Sequence, residues 1–339
     1  MEEIIGFDAL YESALKCKNG VMWKASVSHY MLNIVEETVR LEDQLKSGKY
    51  HSRPLRPFTV QSNGKMRTVM GVAFRDRVYQ RSLNDNAIYP QITKNFIYDN
   101  GACQKNKGTI FSRERLVCFL QRFYRKHGTN GYVLQCDIKG YYPNMRHDVV
   151  EANFKGSLTP EVFERALQVL HEQYPGEVGF LPGSQMIQIA GISVLNGLDH
   201  YIKERLRIKH YIRYMDDFIL IHEDYDYLVK CQQIINDQLE LIGFELHPKK
   251  TRIYPITDGI KFLGFQFRLT ETGKVIKSVL PKNVKLYRRK LRRLVNLAKK
   301  GKTTKAKVDE CYRSWCAHAR QGNSAKLLRR MDAYYKSLW

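Results

Sequence analysis

The sequence predicts an α+β fold, and three features point to it. Stretches with helical spacing of apolar residues alternate with short β-rich runs, and turn sequences bound those runs. From residue 281 onward the chain returns to helix, with a strongly basic face. At 339 residues the chain can bury real cores, enough for two or three subdomains. Hydrophobic residues make up 43%, which argues against wholesale disorder.

The first fifty residues read as mostly helical. Met31, Ile34, Val35, Leu41 and Leu45 fall on one helix face, and no glycine interrupts between Gly20 and Gly48. After HSRPLRP, the β-rich runs FTVQ and MRTVMGVAF flank SNGK, the pattern of a hairpin. FRDRVYQRSLNDNAIYPQI returns to helical spacing. Residues Ser112 to His127 form a further helix, ended by RKHG, a basic C-terminus closed by glycine. GYVLQCDIKGYYP reads as a strand ending in polar and aromatic residues. EVFERALQVLHEQY is helical and precedes GFLPGSQ; ISVLNGLDHYIKERL is a second helix.

HYIRYMDDFILIHE is two short β runs meeting at Met215–Asp216. DYLVKCQQIINDQLELIGF is an amphipathic helix, and KFLGFQF is a closing strand. Beyond Pro281, NVKLYRRKLRRLVNLAKKGK contains no acidic residue, and Val284, Tyr287, Leu291, Leu294 and Val295 make one apolar stripe. No internal repeat, low-complexity tract or long linker is visible.

Charge narrows the function. Lys and Arg number 56 against 34 Asp and Glu, a net charge of +22. That excess points to a polyanionic partner, nucleic acid before an anionic membrane surface, because each neutralised phosphate releases condensed counterions. The acidic start MEEIIGFDALYES is no export signal, and no run of about 18 apolar residues exists to span a bilayer. The expectation is a cytoplasmic protein without membrane contact. Its 7 cysteines then read as reduced thiols. Cys311, Cys316 and His318 lack a CxxC spacing and a fourth partner for zinc. On a helix, Tyr312, Trp315, Cys316 and Ala319 make an apolar stripe instead.

The strongest chemical signal is YMDD, Tyr214 to Asp217. A tight hairpin places both aspartates at the turn, where adjacent carboxylates repel and gain little from packing. A solvated turn is the bland reading, but YIR and FILI are apolar enough to be buried. Asp137 ends another apolar strand, as a turn cap or as a third carboxylate beside Asp216. Three carboxylates and a substrate triphosphate are what a two-metal site needs.

In this order the motifs resemble the reverse transcriptases of bacteria and phages, in the group II intron-like lineage. The resemblance runs from about Pro54 through the basic C-terminal region. GKMRTVMGVAFRDRVYQRSL is similar to the family's first block and YDNGACQKNKGTIFSRERL to its second. DIKGYYP resembles catalytic block A, YMDD block C, HPKKTRI block D and KFLGFQF block E. The resemblance implies a right-hand polymerase fold with fingers, a palm bearing a small antiparallel sheet, and a helical thumb. The implied divisions are an N-terminal helical extension over 1–50, fingers and palm over 51–280, and a basic thumb over 281–339. Fingers fall mainly at 51–135, palm mainly at 132–148 and 181–280.

The resemblance also implies roles. Asp137, Asp216 and Asp217, with the carbonyl of Ile138, match the ligands of two Mg2+ ions, for which Mn2+ can substitute. Tyr142 matches the aromatic gate against a ribose 2′-hydroxyl, with Tyr141 beside it. Lys65 and Arg67 match the grip on the dNTP triphosphate. Lys249 or Lys250 matches a lysine that protonates the departing pyrophosphate. Tyr214 and Met215 match contacts to the nucleic acid. Lys282, Lys285, Arg288, Arg289, Arg292 and Arg293 match phosphate contacts of the thumb.

Block B departs from the pattern. Many relatives carry Pro-Gln-Gly, whereas this chain reads LPGSQMIQ from Leu181. Enzymes of diversity-generating retroelements carry Gly-x-x-x-Ser-Gln instead. Gly183 and Gln188 fit that pattern as dNTP contacts, but Ile187 stands in the serine's place. The implied function is RNA-directed DNA synthesis on an RNA template from a DNA or RNA primer. Its setting is a diversity-generating retroelement or an anti-phage defence system, with a dedicated noncoding RNA and an accessory protein subunit as partners. The rival readings are template-independent or protein-primed DNA synthesis, an RNA-directed RNA polymerase, and an inactive nucleic-acid-binding protein.

Overall fold

Helical spacing at the N-terminus yields four helices in the computed structural model, which describes residues 1–62, 65–181 and 183–339. These are α1 (Glu2–Ile5), α2 (Phe7–Cys17), α3 (Ala25–Leu32) and α4 (Ile34–Lys46). Leu41 and Leu45 are buried as their spacing predicts, but Val35 is 58% exposed. The helix breaks at Asn33, so the periodicity restarts there and Val35 leaves the inward face.

The expected hairpin forms from β1 (Arg56–Ser62) and β2 (Lys65–Gly71), paired from Arg56↔Gly71 to Ser62↔Lys65. Next, α5 (Phe74–Leu83) runs through a π turn at Asn84–Ile88 into α6 (Tyr89–Thr93). Then α7 (Thr109–His127) ends where RKHG predicts: Gly128 takes a φ of 61° and its N–H bonds the Tyr124 carbonyl. The block A strand is β3 (Tyr132–Asp137), followed by α8 (His147–Ser157) and α9 (Pro160–Gln173), the latter started by proline at its first turn.

ISVLNGLDHYIKERL is not one helix. It divides between the end of α10 (Gln185–Ser193), α11 (Asn196–His200) and a π turn at Tyr201–Arg205. The Ser193 hydroxyl donates back to the Ala190 carbonyl, a local bond that competes with helix continuation. The chain continues through β4 (His210–Tyr214), β5 (Asp217–His222), α12 (Tyr225–Glu240) and β6 (Arg252–Pro255).

KFLGFQF also departs from expectation. It is a hairpin of β7 (Ile260–Phe262) and β8 (Phe265–Leu269), with Phe262 opposite Phe265. Leu263 and Gly264 take φ of 44° and 86°, the two left-handed positions that a tight two-residue hairpin turn demands. A third strand, β9 (Val275–Val279), completes that sheet before α13 (Pro281–Lys299), α14 (Lys305–Arg320) and α15 (Ala325–Lys336).

The chain forms two compact units. The first comprises Met1–Gln104, Asp137–Arg207 and Gln233–Pro248, and holds the N-terminal helices, the β1–β2 hairpin and α8 to α11. The second comprises Lys105–Cys136, Ile208–Gln232 and Lys249–Trp339. Its four-stranded sheet has the order β4-β5-β3-β6 and its three-stranded sheet the order β7-β8-β9. A shared core joins Phe119 and Phe123 of α7 to Ile212, Ile219 and Ile221 of the first sheet and Phe265 and Phe267 of the second.

The C-terminal helices have a core of their own. Leu291 and Val295 are buried there, with Val284, Tyr287 and Leu294 packed against them, the stripe that the spacing predicts. Tyr312, Cys316 and Ala319 are buried on α14, and Trp315 stacks on Tyr287 at 4.7 Å. Packing accounts for CYRSWCAH. Among the described residues, no helix is long and apolar enough to cross a membrane.

Candidate active site

The YMDD segment is a two-residue hairpin loop. Tyr214 pairs with Asp217, so Met215 and Asp216 make the turn between β4 and β5. Met215 adopts a φ of 58°, a left-handed backbone that non-glycine residues rarely take. Apolar flanks fix the strands beneath: Tyr211, Ile212 and Phe218 through Ile221 are buried. Tyr214, Met215, Asp216 and Asp217 are half-buried at the rim.

One charge sits inside this apolar pair. Arg213 is 0% exposed, and its Nη1 donates to the Met215 carbonyl at 3.0 Å. A buried guanidinium is costly unless its donors find acceptors, and one of these acceptors belongs to the turn itself.

Asp217 is held from the neighbouring strand. Gln135 of β3 donates from Nε2 to Asp217 Oδ1 at 3.4 Å and to the Lys261 carbonyl at 2.9 Å. The Gln135 Oε1 accepts from the Tyr254 hydroxyl at 3.0 Å. Burial pushes the Tyr254 phenol up, which keeps it a neutral donor. Next along β3, burial and then the negative charge of Asp217 raise the Cys136 thiol well above its ordinary value. Cys136 is therefore an inert, fully buried spacer between Gln135 and Asp137.

Asp137 closes β3 and is the first residue of its segment in the other compact unit, half-buried. Its carbonyl accepts from the His247 N–H at 2.7 Å, and the Lys139 N–H reaches the Glu245 carbonyl at 3.0 Å. These bonds flank the bridge between Ile138 and Leu246. In an antiparallel pair bonded on either side, the central residue turns its own carbonyl away from the partner. The Ile138 carbonyl therefore faces away from Leu246.

The two tyrosines of block A differ. Tyr141 is buried, and its hydroxyl donates to the Gly191 carbonyl. Tyr142 is half-buried, and a Cβ at position 191 would come within 3.0 Å of its hydroxyl. Glycine on α10 thus makes room for the Tyr142 ring. Gly183 answers a similar need, since a Cβ there would collide with the Met70 carbonyl of β2. Ser184 caps α10 by accepting from the Met186 N–H at 3.1 Å. On that helix Ile187 is 0% exposed, whereas Gln188 is exposed. Gly183 and Gln188 line a cavity of about 440 Å³ together with Lys16, Arg77 and Arg81.

The remaining sequence-predicted residues stand on other elements. Lys65 and Arg67 stand on β2, opposite Ser62 and Val60, and their side chains lie outside the described residues. Lys249 and Lys250 are exposed in the turn before β6. On α13, Lys282, Lys285, Arg289, Arg292 and Arg293 are exposed. Arg288 also stacks its guanidinium over the Tyr334 ring at 4.1 Å. Sequence reasoning missed Gln135, Tyr254 and Arg213. An arginine inside the apolar run HYIRY was the available signal for the last.

Asp216 and Asp217 in one unit, and Asp137 with the Ile138 carbonyl in the other, each offer oxygen donors of the kind that a hard cation such as Mg2+ or Mn2+ takes. Among the described residues, no three His, Cys, Asp or Glu side chains form a preassembled cage. Mg2+ is compatible with that, because it is usually held by one or two carboxylates together with substrate phosphates.

The structure resembles a telomerase from Candida albicans, solved in complex with a TWJ fragment of telomeric RNA. The TM-score is 0.52 at 10% identity, covering 79% of this chain and 55% of that one. It resembles an apo telomerase from Candida tropicalis with a TM-score of 0.52 at 12% identity, covering 74% and 53%. This chain thus spans a little over half the length of these telomerase chains, and identities so low speak for the fold alone. Among curated proteins, none matches the chain. Residues 59–267 match the family described as "Reverse transcriptase (RNA-dependent DNA polymerase)". With that match over most of its length and an α+β architecture of the right-hand polymerase kind, the chain belongs to the reverse transcriptase family.

Proposed function

We propose that this protein is an RNA-directed DNA polymerase, which adds deoxynucleotides to a primer 3′-hydroxyl. The observation that carries the reading is the order of chemistry inside the family match: basic β2, Asp137, block B, then Asp216 and Asp217. Two bound Mg2+ ions would lower the pKa of the attacking hydroxyl and offset charge on the phosphate. Asp137, Asp216 and Asp217 would hold them, with the Ile138 carbonyl as a further ligand. Lys65 and Arg67 grip the triphosphate through charge-assisted bonds. Tyr142 closes the sugar pocket to a 2′-hydroxyl, and Gly183 and Gln188 border the incoming nucleotide. Lys249 or Lys250 donates a proton to the pyrophosphate. Tyr214 and Met215 meet the primer end, and the cations of α13 follow the duplex phosphates.

The biological setting in this reading is a diversity-generating retroelement or an anti-phage defence system, served by a dedicated noncoding RNA and an accessory protein. Gly183 and Gln188 support the retroelement reading because they fit its block B pattern, whereas the buried Ile187 departs from it and keeps the defence setting open. Primer extension on poly-rA/oligo-dT with Mg2+ tests the chemistry. The wild type extends the primer and Asp216→Asn does not. Undiminished synthesis by Asp216→Asn would overturn the carboxylate assignment.

A further inference from the structure

Strand β3 lies between β5 and β6, so its side chains meet those of both neighbours. Gln135 is paired with Arg252 and Val133 with Tyr254. Alternate strand residues point the same way, so Gln135, Arg252 and Tyr254 share one face of the sheet. These three residues, Asp217 of β5 and Lys261 of β7 all belong to the second compact unit.

A glutamine amide offers two N–H donors on one side and a carbonyl oxygen on the other. Both sides of Gln135 are engaged. Its Nε2 donates to the Lys261 carbonyl at 2.9 Å and to Asp217 Oδ1 at 3.4 Å, and its Oε1 accepts from the Tyr254 hydroxyl at 3.0 Å. Turned over, the amide would set its oxygen against a carbonyl and a carboxylate, two groups that only accept. The opposite partner is a phenol that burial keeps protonated, with the Arg252 guanidinium 4.8 Å from its ring. One orientation of the amide therefore satisfies all three partners.

The lengths of the bonds divide the work. The two shorter bonds, to main chain and to a buried ring, hold the amide in place. The longer one is the donor that it then presents to Asp217. A glutamine that merely tied β3 to β7 would have no need of a carboxylate beside it. A donor on Oδ1 hinders rotation of the carboxylate, and a ligand oriented beforehand loses less freedom when a cation binds.

We infer that Gln135 is a positioning residue for the cation site, holding the Asp217 carboxylate in its binding orientation, and that the Tyr254 hydroxyl acts on Asp217 through it. The inference rests on the polymerase reading for the role of the cation. Its test reads the cation directly. Mn2+ is titrated into the protein without nucleic acid, and the free ion is followed by electron paramagnetic resonance. Asp216→Asn, which should lose the site, identifies the ions that matter. Gln135→Met keeps the length of the side chain and removes the amide, and Tyr254→Phe keeps the ring and removes the hydroxyl. Melting curves in EDTA check that the variants fold.

Gln135→Met should weaken Mn2+ binding about tenfold, and Tyr254→Phe should weaken it by less. The double variant should bind as Gln135→Met does, because the hydroxyl reaches the carboxylate only through the amide. In primer extension Gln135→Met should need about tenfold more Mg2+ for half its full rate, and high Mg2+ should restore that rate. Unchanged Mn2+ affinity in Gln135→Met would overturn the inference, as would losses that add in the double variant. If Gln135→Met does not fold, unchanged affinity in Tyr254→Phe overturns it instead. A wild type whose Mn2+ binding falls in Gln135→Met but which extends no primer would refute the polymerase reading and leave the positioning role standing.

Discussion

The buried guanidinium of Arg213 donates to the carbonyl of Met215, the residue that carries the left-handed bend of the YMDD turn. A side chain inside the sheet thus holds the backbone from which Asp216 projects. Replacing Arg213 with Met keeps much of the volume and removes the donor. Loss of this charge-assisted bond should cost about 1.5–3 kcal/mol in urea unfolding. Primer extension should fall about 100-fold in kcat, since displacement of catalytic groups by about 1 Å has that effect. Arg213→Lys should recover part of the rate.

Met215 offers the converse experiment. Its φ of 58° costs about 1–2 kcal/mol for a residue with a Cβ and almost nothing for glycine. Met215→Gly should therefore raise the urea midpoint. The gain should be larger in the Arg213→Met background, where the turn has lost its clamp. Additive effects of the two substitutions would show that Arg213 does not act through the turn.

Tyr141 and Tyr142 should separate in their effects. Tyr141→Phe removes the donor to the Gly191 carbonyl and should cost about 1 kcal/mol of stability, with sugar selection intact. Tyr142→Ala should admit ribonucleotides, read as a rise in rNTP incorporation relative to dNTP in primer extension. If Tyr141→Phe alone relaxes sugar selection, the gate has been assigned to the wrong ring.

Block B can be tested by its packing. Ile187→Ser restores the serine of the retroelement pattern, yet it empties a fully buried aliphatic site. It should cost about 2–4 kcal/mol by thermal or urea unfolding. Gly183→Ala should force the hairpin and α10 apart at the Met70 carbonyl and raise the KM for dNTP. A stable Ile187→Ser variant would mean that this helix repacks readily.

The C-terminal cations should not be equivalent. Arg289→Gln and Arg292→Gln should each lower the salt slope for duplex binding by about 0.9, one phosphate each, without changing stability. Arg288→Gln should also lose about 0.5–1 kcal/mol of folding free energy, because its guanidinium lies over Tyr334.

How much of this was legible in the sequence depended on how local each signal is. The YMDD hairpin was readable because apolar β runs meet at a two-residue turn. The stripe on α13 was readable because five apolar residues stand among cations. Helix α8 was not, since it buries only His147, Val150 and Phe154 and contains Gly156, too few points to define a period. Strand β6 has four residues and exists by pairing with β3, more than a hundred positions earlier. In KFLGFQF the apolar pattern runs across the turn, and a leucine in left-handed conformation hides the reversal. The support of Asp217 by Gln135 was beyond reach, because a glutamine in a strand announces nothing about its partner.

The burial of β5 has a dynamic consequence. Asp217 opens a strand whose next four residues, Phe218 to Ile221, are all buried in a sheet flanked by β4 and β3. Backbone amides in such a strand exchange with solvent through the rarest openings of the molecule. The half-exposed carboxylates of YMDD are thus anchored at the edge of a slow-exchanging core. In hydrogen–deuterium exchange, protection should rise steeply from the turn into Phe218, so that local fluctuation can reach Asp216 while the strand behind it stays closed.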